Sequence, residues 1–404
     1  MTGAVRLVSV GAPIDGGGHA DAAAIAPVLA RAGLAVGAHV VIADDEDALE
    51  ATLRGAGVTA IVAGVGGSAG DSVRRVLSRI TGARLVLSER MRTLLSAHYA
   101  RLDRPVPRSS ERLALLPRGA MVMDGDEPVW TLESDGSAWI VFLRGRVSAA
   151  VELLLVPFVR EHLGTRGAIA TRTFKTAGVS AEEIEDRLVD RLDARDVTLT
   201  TLPGDGEVWV RLRARGRTQA AAAKRLSEVE GMVSGLLAAD CYGRDGDALE
   251  EVVGTRLRAR NLTLAVAESC TGGLVGHRIT GVPGSSAYFE RGVMVYSNRA
   301  KQEMLGVAES ILRTHGAVSA PCAEAMVRGV CERSGAACGL AITGIAGPDG
   351  GTPTKPVGTV FIGLAVQGAV SARHFRFSGD RASVKWQSSV MALDMLRRAL
   401  EASR

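Results

Sequence analysis

Three features of the chain predict a multidomain α/β fold. Short apolar runs alternate with amphipathic helical stretches through roughly the first 160 residues, the pattern of a parallel sheet covered on both faces. Aromatic residues make up only 4% while glycines number 48, so Ala, Val, Leu and Gly must fill the interior, which suits layered sheets joined by tight turns. At 404 residues, 47% of them hydrophobic, the chain can build two or three packed cores.

Taken in order, "RLVSVGA" reads as a strand, "ADAAAIAPVLARAG" as a helix closed by Gly33, "LAVGAHVVIAD" as a strand, "DEDALEATLRGAG" as a helix and "VTAIVAGVGG" as a strand. Helices follow at "DSVRRVLSRITG" and from Ser88 to Leu102, then a strand at "WIVFLRG" and a helix at "SAAVELLLVPFVREHLG". These elements form a first domain, residues 1–164. The composition then shifts. "GAIATRTFKTAG" reads as a strand, "SAEEIEDRLVDRLD" as a helix capped by Ser180, "VTLTTLPGDGEVWVRLRARG" as a hairpin turning at Pro203 to Gly206, and "TQAAAAKRLSEVEGMVSGLLA" as a helix. This small α+β module spans residues 165–244. The last domain, residues 245–404, opens on the amphipathic helix "DALEEVVGTRLRARN".

The formal net charge is +4, with acidic and basic residues interleaved. No dense basic stripe marks a nucleic-acid footprint. The N-terminus lacks the order of a signal peptide and no long apolar run occurs, so a cytoplasmic protein with no membrane partner is expected. The five cysteines are odd in number and form no C-x-x-C pair, which argues against a disulfide framework or a zinc site. Cys331 and Cys338, seven apart in a helical pattern, read as small buried hydrophobes.

The chemistry gathers in the last domain. "AVAESCTGGLVGHRIT", Ala265 to Thr280, reads as strand, tight turn and helix. The first N–H groups of such a helix lack partners and carry partial positive charge. Ser269 or Thr271 is therefore either an N-cap or a reactive or binding group, and the local pattern leaves both open. In "VPGSSAYFERGVMVYSNRAKQEMLGV", Ser285 and Ser286 follow a Pro-Gly turn, a strand ends at Tyr296, and Ser297 or Asn298 starts a helix. Lys301 falls in that helix's first turn and Gly306 suits its C′ position. A lysine at the positive end of a helix is either a solvated surface residue or one whose amine is held neutral for use as a base.

"LAITGIAGPDGGTPTKPVGTVFIGLAV" is a strand, a Gly-rich loop and a strand. The loop is either a plain connection or a cradle for an anion, and its length favours binding. Arg381, where "FRFSGDRASVKWQSSVMALDML" passes into a helix, either sits in solvent or pins an anionic substrate.

These stretches, "AESCTGG", "GSSAYFERGVMVYSNRAKQEMLGV", "HGAVS", "ITGIAGPDGG", "KPVGTVFIGLA" and "GDR", resemble the C-terminal domain of the competence/damage-inducible CinA family, whose stand-alone form is a nicotinamide mononucleotide deamidase. The middle module resembles the KH-like region of long members, and the N-terminal alternation their molybdopterin-binding-like domain. The resemblance implies hydrolysis of nicotinamide mononucleotide to nicotinic acid mononucleotide and ammonia, in recycling of pyridine nucleotides. It makes Ser269 the nucleophile and Lys301 its base, with Tyr296 assisting proton transfer or orientation and Ser286 supporting the oxyanion or the base. Thr271, Gly272, Gly273, Thr343, Gly344 and Arg381 would hold the nucleotide. Such a Ser–Lys pair needs no metal and no cofactor is expected; a homodimer is the family-like assembly. Cys270 adjoins Ser269 as a rival nucleophile, but consecutive turn residues point in different directions.

The N-terminal domain departs from the family. Members linked to metal-assisted cleavage of ADP-ribose carry T-E-L-L-x-G, T-G-G-x-G-P-T-x-D-D and L-P-G-x-P-x-E-M; here the matching stretches read "GAPIDGG", "AGVGGSAGDS" and "LRGRVSAA". Only Asp71 keeps a motif position, with Asp15 displaced, while Gly64, Gly66, Gly67 and Gly70 are either phosphate-cradling or turn glycines. Pyrophosphate hydrolysis needs carboxylates around a divalent cation, so this domain is expected to have lost that activity. A competing reading is a non-catalytic role in DNA uptake or damage response through the KH-like module, which from Gly164 to Ala239 lacks, between its helical elements, the G-x-x-G loop that clamps a nucleic-acid backbone.

Overall fold

The computed structural model describes residues 4–11, 25–26, 28–29, 32, 34–43, 45–63, 67–101, 103–107, 110–125, 128–143, 151–163, 168–188, 191 and 197–402. Most of the helix expected at 20–33 lies outside them, as do Asp15, Gly64, Gly66 and most of "LRGRVSAA". Two compact units result, residues 1–171 with 214–225 and residues 172–213 with 226–404.

The first unit is a six-stranded sheet in the order β2-β1-β3-β8-β7-β6. Its strands are β1 (Ala4–Val10), β2 (Ala35–Ile42), β3 (Gly57–Ala63), β6 (Met121–Val122), β7 (Trp130–Ser134) and β8 (Ser137–Leu143), and β4 (Leu85–Leu87) pairs with β5 (Leu115–Pro117) in a separate ribbon. Helices α1 (Glu46–Leu53), α2 (Gly67–Thr81), α3 (Glu89–Arg101) and α4 (Ser110–Leu113) punctuate it, and a π-turn at Val151–Leu155 leads into α5 (Val156–Leu163). Both faces are buried: Ile61, Ala63, Trp139 and Val141 enter one core, and Val58, Ala60, Val62, Ile140 and Phe142 the other. The expected all-parallel sheet holds only for β2, β1, β3 and β8. β7 and β6 add antiparallel edges, because Asp135-Gly136 closes a tight turn with positive φ at both residues.

The middle module forms a four-stranded sheet, order β10-β11-β9-β12, from β9 (Ala168–Ala177), β10 (Val197–Pro203), β11 (Glu207–Gly216) and β12 (Cys241–Arg244). Ser180 does cap α6 (Ala181–Leu188), trading hydrogen bonds with Glu183 in a capping box. The last strand, β12, follows helix α7 (Gln219–Leu237) and pairs with β9; its four residues carry too little pattern to be foreseen.

The C-terminal domain is a five-stranded sheet, order β14-β13-β15-β16-β17. It contains α8 (Leu249–Ala259), β13 (Leu264–Glu268), α9 (Leu274–Thr280), β14 (Phe289–Met294), α10 (Asn298–Leu305), α11 (Glu309–His315), α12 (Ala320–Ser334), β15 (Cys338–Gly344), β16 (Thr359–Val366), β17 (Ala369–Arg376) and α13 (Arg381–Ala402). β13 runs parallel to β14 and β15, while β16 and β17 are antiparallel. Cys331 lies on α12 but Cys338 begins β15, so the two do not share a helix.

The two faces of this sheet differ in residue size, and that difference positions the site. Leu264, Val266, Leu340, Ile342, Val360 and Ile362 pack with helices α8 and α13. On the other face Ala265, Ala267, Ala341 and Ala365 meet α12 and the end of α10. Glycines let α12 come closer still. A Cβ on Gly363 would lie 2.5 Å from the Ala323 carbonyl oxygen, and one on Gly329 would lie 2.0 Å from that of Leu305. Gly329 thereby sets how near α10 can approach the rest of the domain.

Gly329→Ala should destabilise the protein by about 1–3 kcal/mol through overpacking. Gly231→Ala in α7, where a Cβ would meet nothing, should stabilise it by roughly 0.5–1 kcal/mol. Denaturant unfolding of both variants checks the contrast.

Candidate active site

β13 alternates its side chains between the two faces, and the alternation continues into the turn. The Ser269 amide still bonds the Ile342 carbonyl. Ser269 follows Ala265 and Ala267 toward the α10 face, whereas Cys270 joins Val266 in the opposite core. Burial there pushes the Cys270 thiol up to about 12, which removes the thiolate a cysteine nucleophile needs.

Neither Ser269 nor Thr271 caps α9. Glu268, a residue that the sequence reading passed over, does so with its carboxylate, accepting from the amides of Gly273 at 3.0 Å, Val275 at 3.2 Å and Gly276 at 2.8 Å. The turn between is made by Gly272 and Gly273, both left-handed at φ 63° and 92°, where a side chain would strain the backbone. Ser269 is consequently free of any capping duty.

Its partner is Lys301. The Ser297 hydroxyl accepts from the Ala300 amide and starts α10, which places Lys301 one turn in, 1% exposed. Its Nζ lies 3.1 Å from Ser269 Oγ, 2.9 Å from the Val295 carbonyl and 3.3 Å from the Tyr296 carbonyl. β14 stops at Met294 rather than running to Tyr296, and this early end turns those two carbonyls toward the amine. Burial lowers the Lys301 pKa, with the Cys322 and Cys270 thiols acting in the other direction. No carboxylate pairs with this lysine among the described residues.

Arg381 opens α13 and joins the remaining parts. It donates to the Gly347 carbonyl at 2.7 Å and to the Tyr296 hydroxyl at 3.1 Å, tying the Gly-rich loop to the segment that holds Lys301. The Tyr296 side chain is 61% exposed. Gly344 ends β15 where a Cβ would meet Val360 and the Thr359 carbonyl within 3 Å.

The other expected residues stand apart. Thr343 is buried and its hydroxyl donates to the Ala317 carbonyl at 2.8 Å, so it anchors the loop. Ser286 is exposed in a short 3-10 turn and, among the described residues, makes no hydrogen bond to Ser269 or Lys301. Thr271 is fully buried and its hydroxyl lacks a hydrogen-bond partner. A cavity of about 440 Å³ lies elsewhere in this unit, between Trp209 and Trp386, and contains none of these residues. In the first unit Asp71 is held by Arg74 and faces Arg112 at 3.7 Å. The described residues contain no group of three His, Cys, Asp or Glu arranged to hold a metal, and no helix long and apolar enough to cross a membrane.

A modular α/β protein with a buried serine–lysine pair at a strand-to-helix turn is the class these features define. Residues 246–400 match the CinA C-terminal domain and residues 171–243 the damage-inducible protein CinA KH domain. A competence-damage inducible protein of Moorella thermoacetica is 38% identical over 394 residues, 95% of each chain. A CinA-like protein of Geobacter metallireducens is 38% identical over 94% of each. The solved structure of a competence/damage inducible protein from Agrobacterium tumefaciens is 41% identical, covering 38% of this chain and 93% of that one with a TM-score of 0.37. The chain belongs to the CinA family.

Glu268→Ala should destabilise the protein by about 1–3 kcal/mol, because it leaves buried amides unpaired. Glu268→Gln, which keeps one acceptor oxygen, should cost less. Urea unfolding of the two variants measures the order.

Proposed function

We propose that the chain hydrolyses the carboxamide of nicotinamide mononucleotide, giving nicotinic acid mononucleotide and ammonia. One observation carries the reading. A neutral amine has two N–H groups and one lone pair, and Lys301 Nζ has two carbonyls and one hydroxyl around it. With its N–H groups on Val295 and Tyr296, the lone pair faces Ser269 Oγ.

The steps follow from that arrangement. Lys301 takes the Ser269 proton as Oγ attacks the carboxamide carbon, and a tetrahedral oxyanion forms. The amides of Cys270 and Thr271 lie in the same turn and meet the Cys270 thiol, a weak acceptor that the oxyanion would replace. Collapse breaks the C–N bond, and the Lys301 ammonium returns its proton to the leaving ammonia. Water, deprotonated by the same amine, then cleaves the acyl-serine and releases the carboxylate. Arg381, bonded to the Gly347 carbonyl and the Tyr296 hydroxyl, orients the substrate together with that tyrosine. The resemblance of the quoted motifs to the deamidase domain supports the choice of amide.

Ammonia release from nicotinamide mononucleotide should fall roughly 1000-fold or more in Ser269→Ala and in Lys301→Ala. Lys301→Arg should be equally inactive, since a guanidinium keeps its proton. In the wild type the neutral amine is the working form, so the rate should rise with pH and level off above a midpoint below the ordinary lysine value of 10.5, the direction in which burial moves Lys301. Undiminished turnover in the two alanine variants would defeat the reading.

A further inference from the structure

The cations around Ser269 have no carboxylates to balance them. Arg381 and Lys385 form no ion pair among the described residues, and Lys301 as a neutral amine adds no charge to theirs. Glu268, the acidic group nearest in sequence, spends its oxygens on three amides of α9. Arg381 uses two of its five N–H groups, both on neutral oxygens. An unbalanced set of this kind favours an anion in the site.

Lys385 is the member no other argument accounts for. It is one of only five lysines in a chain whose basic residues are otherwise arginine. It stands four residues after Arg381 on α13, hence on the same helix face, and it is half-buried. A Cβ placed on Gly272 would lie 3.6 Å from Lys385 Nζ, so the ammonium hangs over the turn that begins at Ser269. Among the described residues it has neither a hydrogen-bond nor an ion-pair partner. Gly272, lacking a side chain, leaves room beside that ammonium for a ligand oxygen.

We propose that Lys385 binds the phosphate of the substrate and makes the site selective for a phosphorylated amide over its dephosphorylated nucleoside. The inference rests on the amide-hydrolysis reading for the identity of the substrate. Arg381, one turn earlier, holds the loop and Tyr296, while Lys385 supplies a charge that no protein group neutralises. A phosphate monoester carries nearly two negative charges at neutral pH, and a charge-assisted contact to it is stronger than a neutral one. A nucleoside leaves that ammonium unpaired.

The test compares kcat/KM for nicotinamide mononucleotide and for nicotinamide riboside in wild type, Lys385→Met and Lys385→Arg. Wild type should prefer the mononucleotide, and Lys385→Met should shrink that preference by roughly 10- to 100-fold, mostly through KM. Lys385→Arg should restore much of it. An unchanged preference in Lys385→Met would overturn the proposal. If wild type releases ammonia from neither compound, the amide reading fails instead, and calorimetric titration with inorganic phosphate decides the fate of Lys385. Affinity lost in Lys385→Met would keep the anion site; equal affinity in both proteins, or no binding to either, would remove it.

Discussion

A primary amine shut away from water must either find a counter-charge or give up its proton, and Lys301 is offered no counter-charge. Burial disfavours the ammonium, and the oxygens around Nζ belong to two backbone carbonyls and one hydroxyl. Those three contacts fit a neutral amine, two as acceptors and one as donor. The rest of the C-terminal domain can be understood as the means of holding that amine against Ser269 Oγ. Small residues on one sheet face admit α12, Gly329 admits the end of α10, and Lys301 sits four residues before the Leu305 carbonyl at that contact.

The turn after β13 shows how one chemical demand displaces another. The amides of α9 would ordinarily be satisfied by a serine or threonine at its start. Here Glu268 reaches forward from the strand end to satisfy three of them, and its negative charge meets the positive end of the helix. The serine that looks like a cap is thereby released for Lys301. Positive charge at the site comes from side chains on α13 rather than from α9.

Where signals were local they could be read directly. The strand-turn-helix around Ser269, the Ser297 cap with Lys301 in the first turn, Gly306 closing that helix and Arg381 at a helix start all depend on residues a few positions apart. Features set by distant packing could not be read. The role of Glu268 depends on how a glycine turn folds back, and Lys385 meets Gly272 only because α13 packs beside α9. The antiparallel edge β7–β6 and the short β12 carry too few residues for periodicity to register. Ser286 and Thr343 lie in motifs that do line up, yet one ends exposed and the other buried with its hydroxyl spent. The burial of each is set by side-chain direction, which motif order does not record.

The protonation state of one nitrogen is therefore the quantity on which the account turns. With only five lysines in the chain, selective ¹⁵N and ¹³C labelling of lysine lets Lys301 be followed by NMR across a pH titration, with Lys301→Ala assigning its signal. The account predicts that Lys301 loses its proton below the ordinary lysine value of 10.5, the direction in which burial moves it. A Lys301 signal that titrates at or above the ordinary lysine value of 10.5 would contradict it.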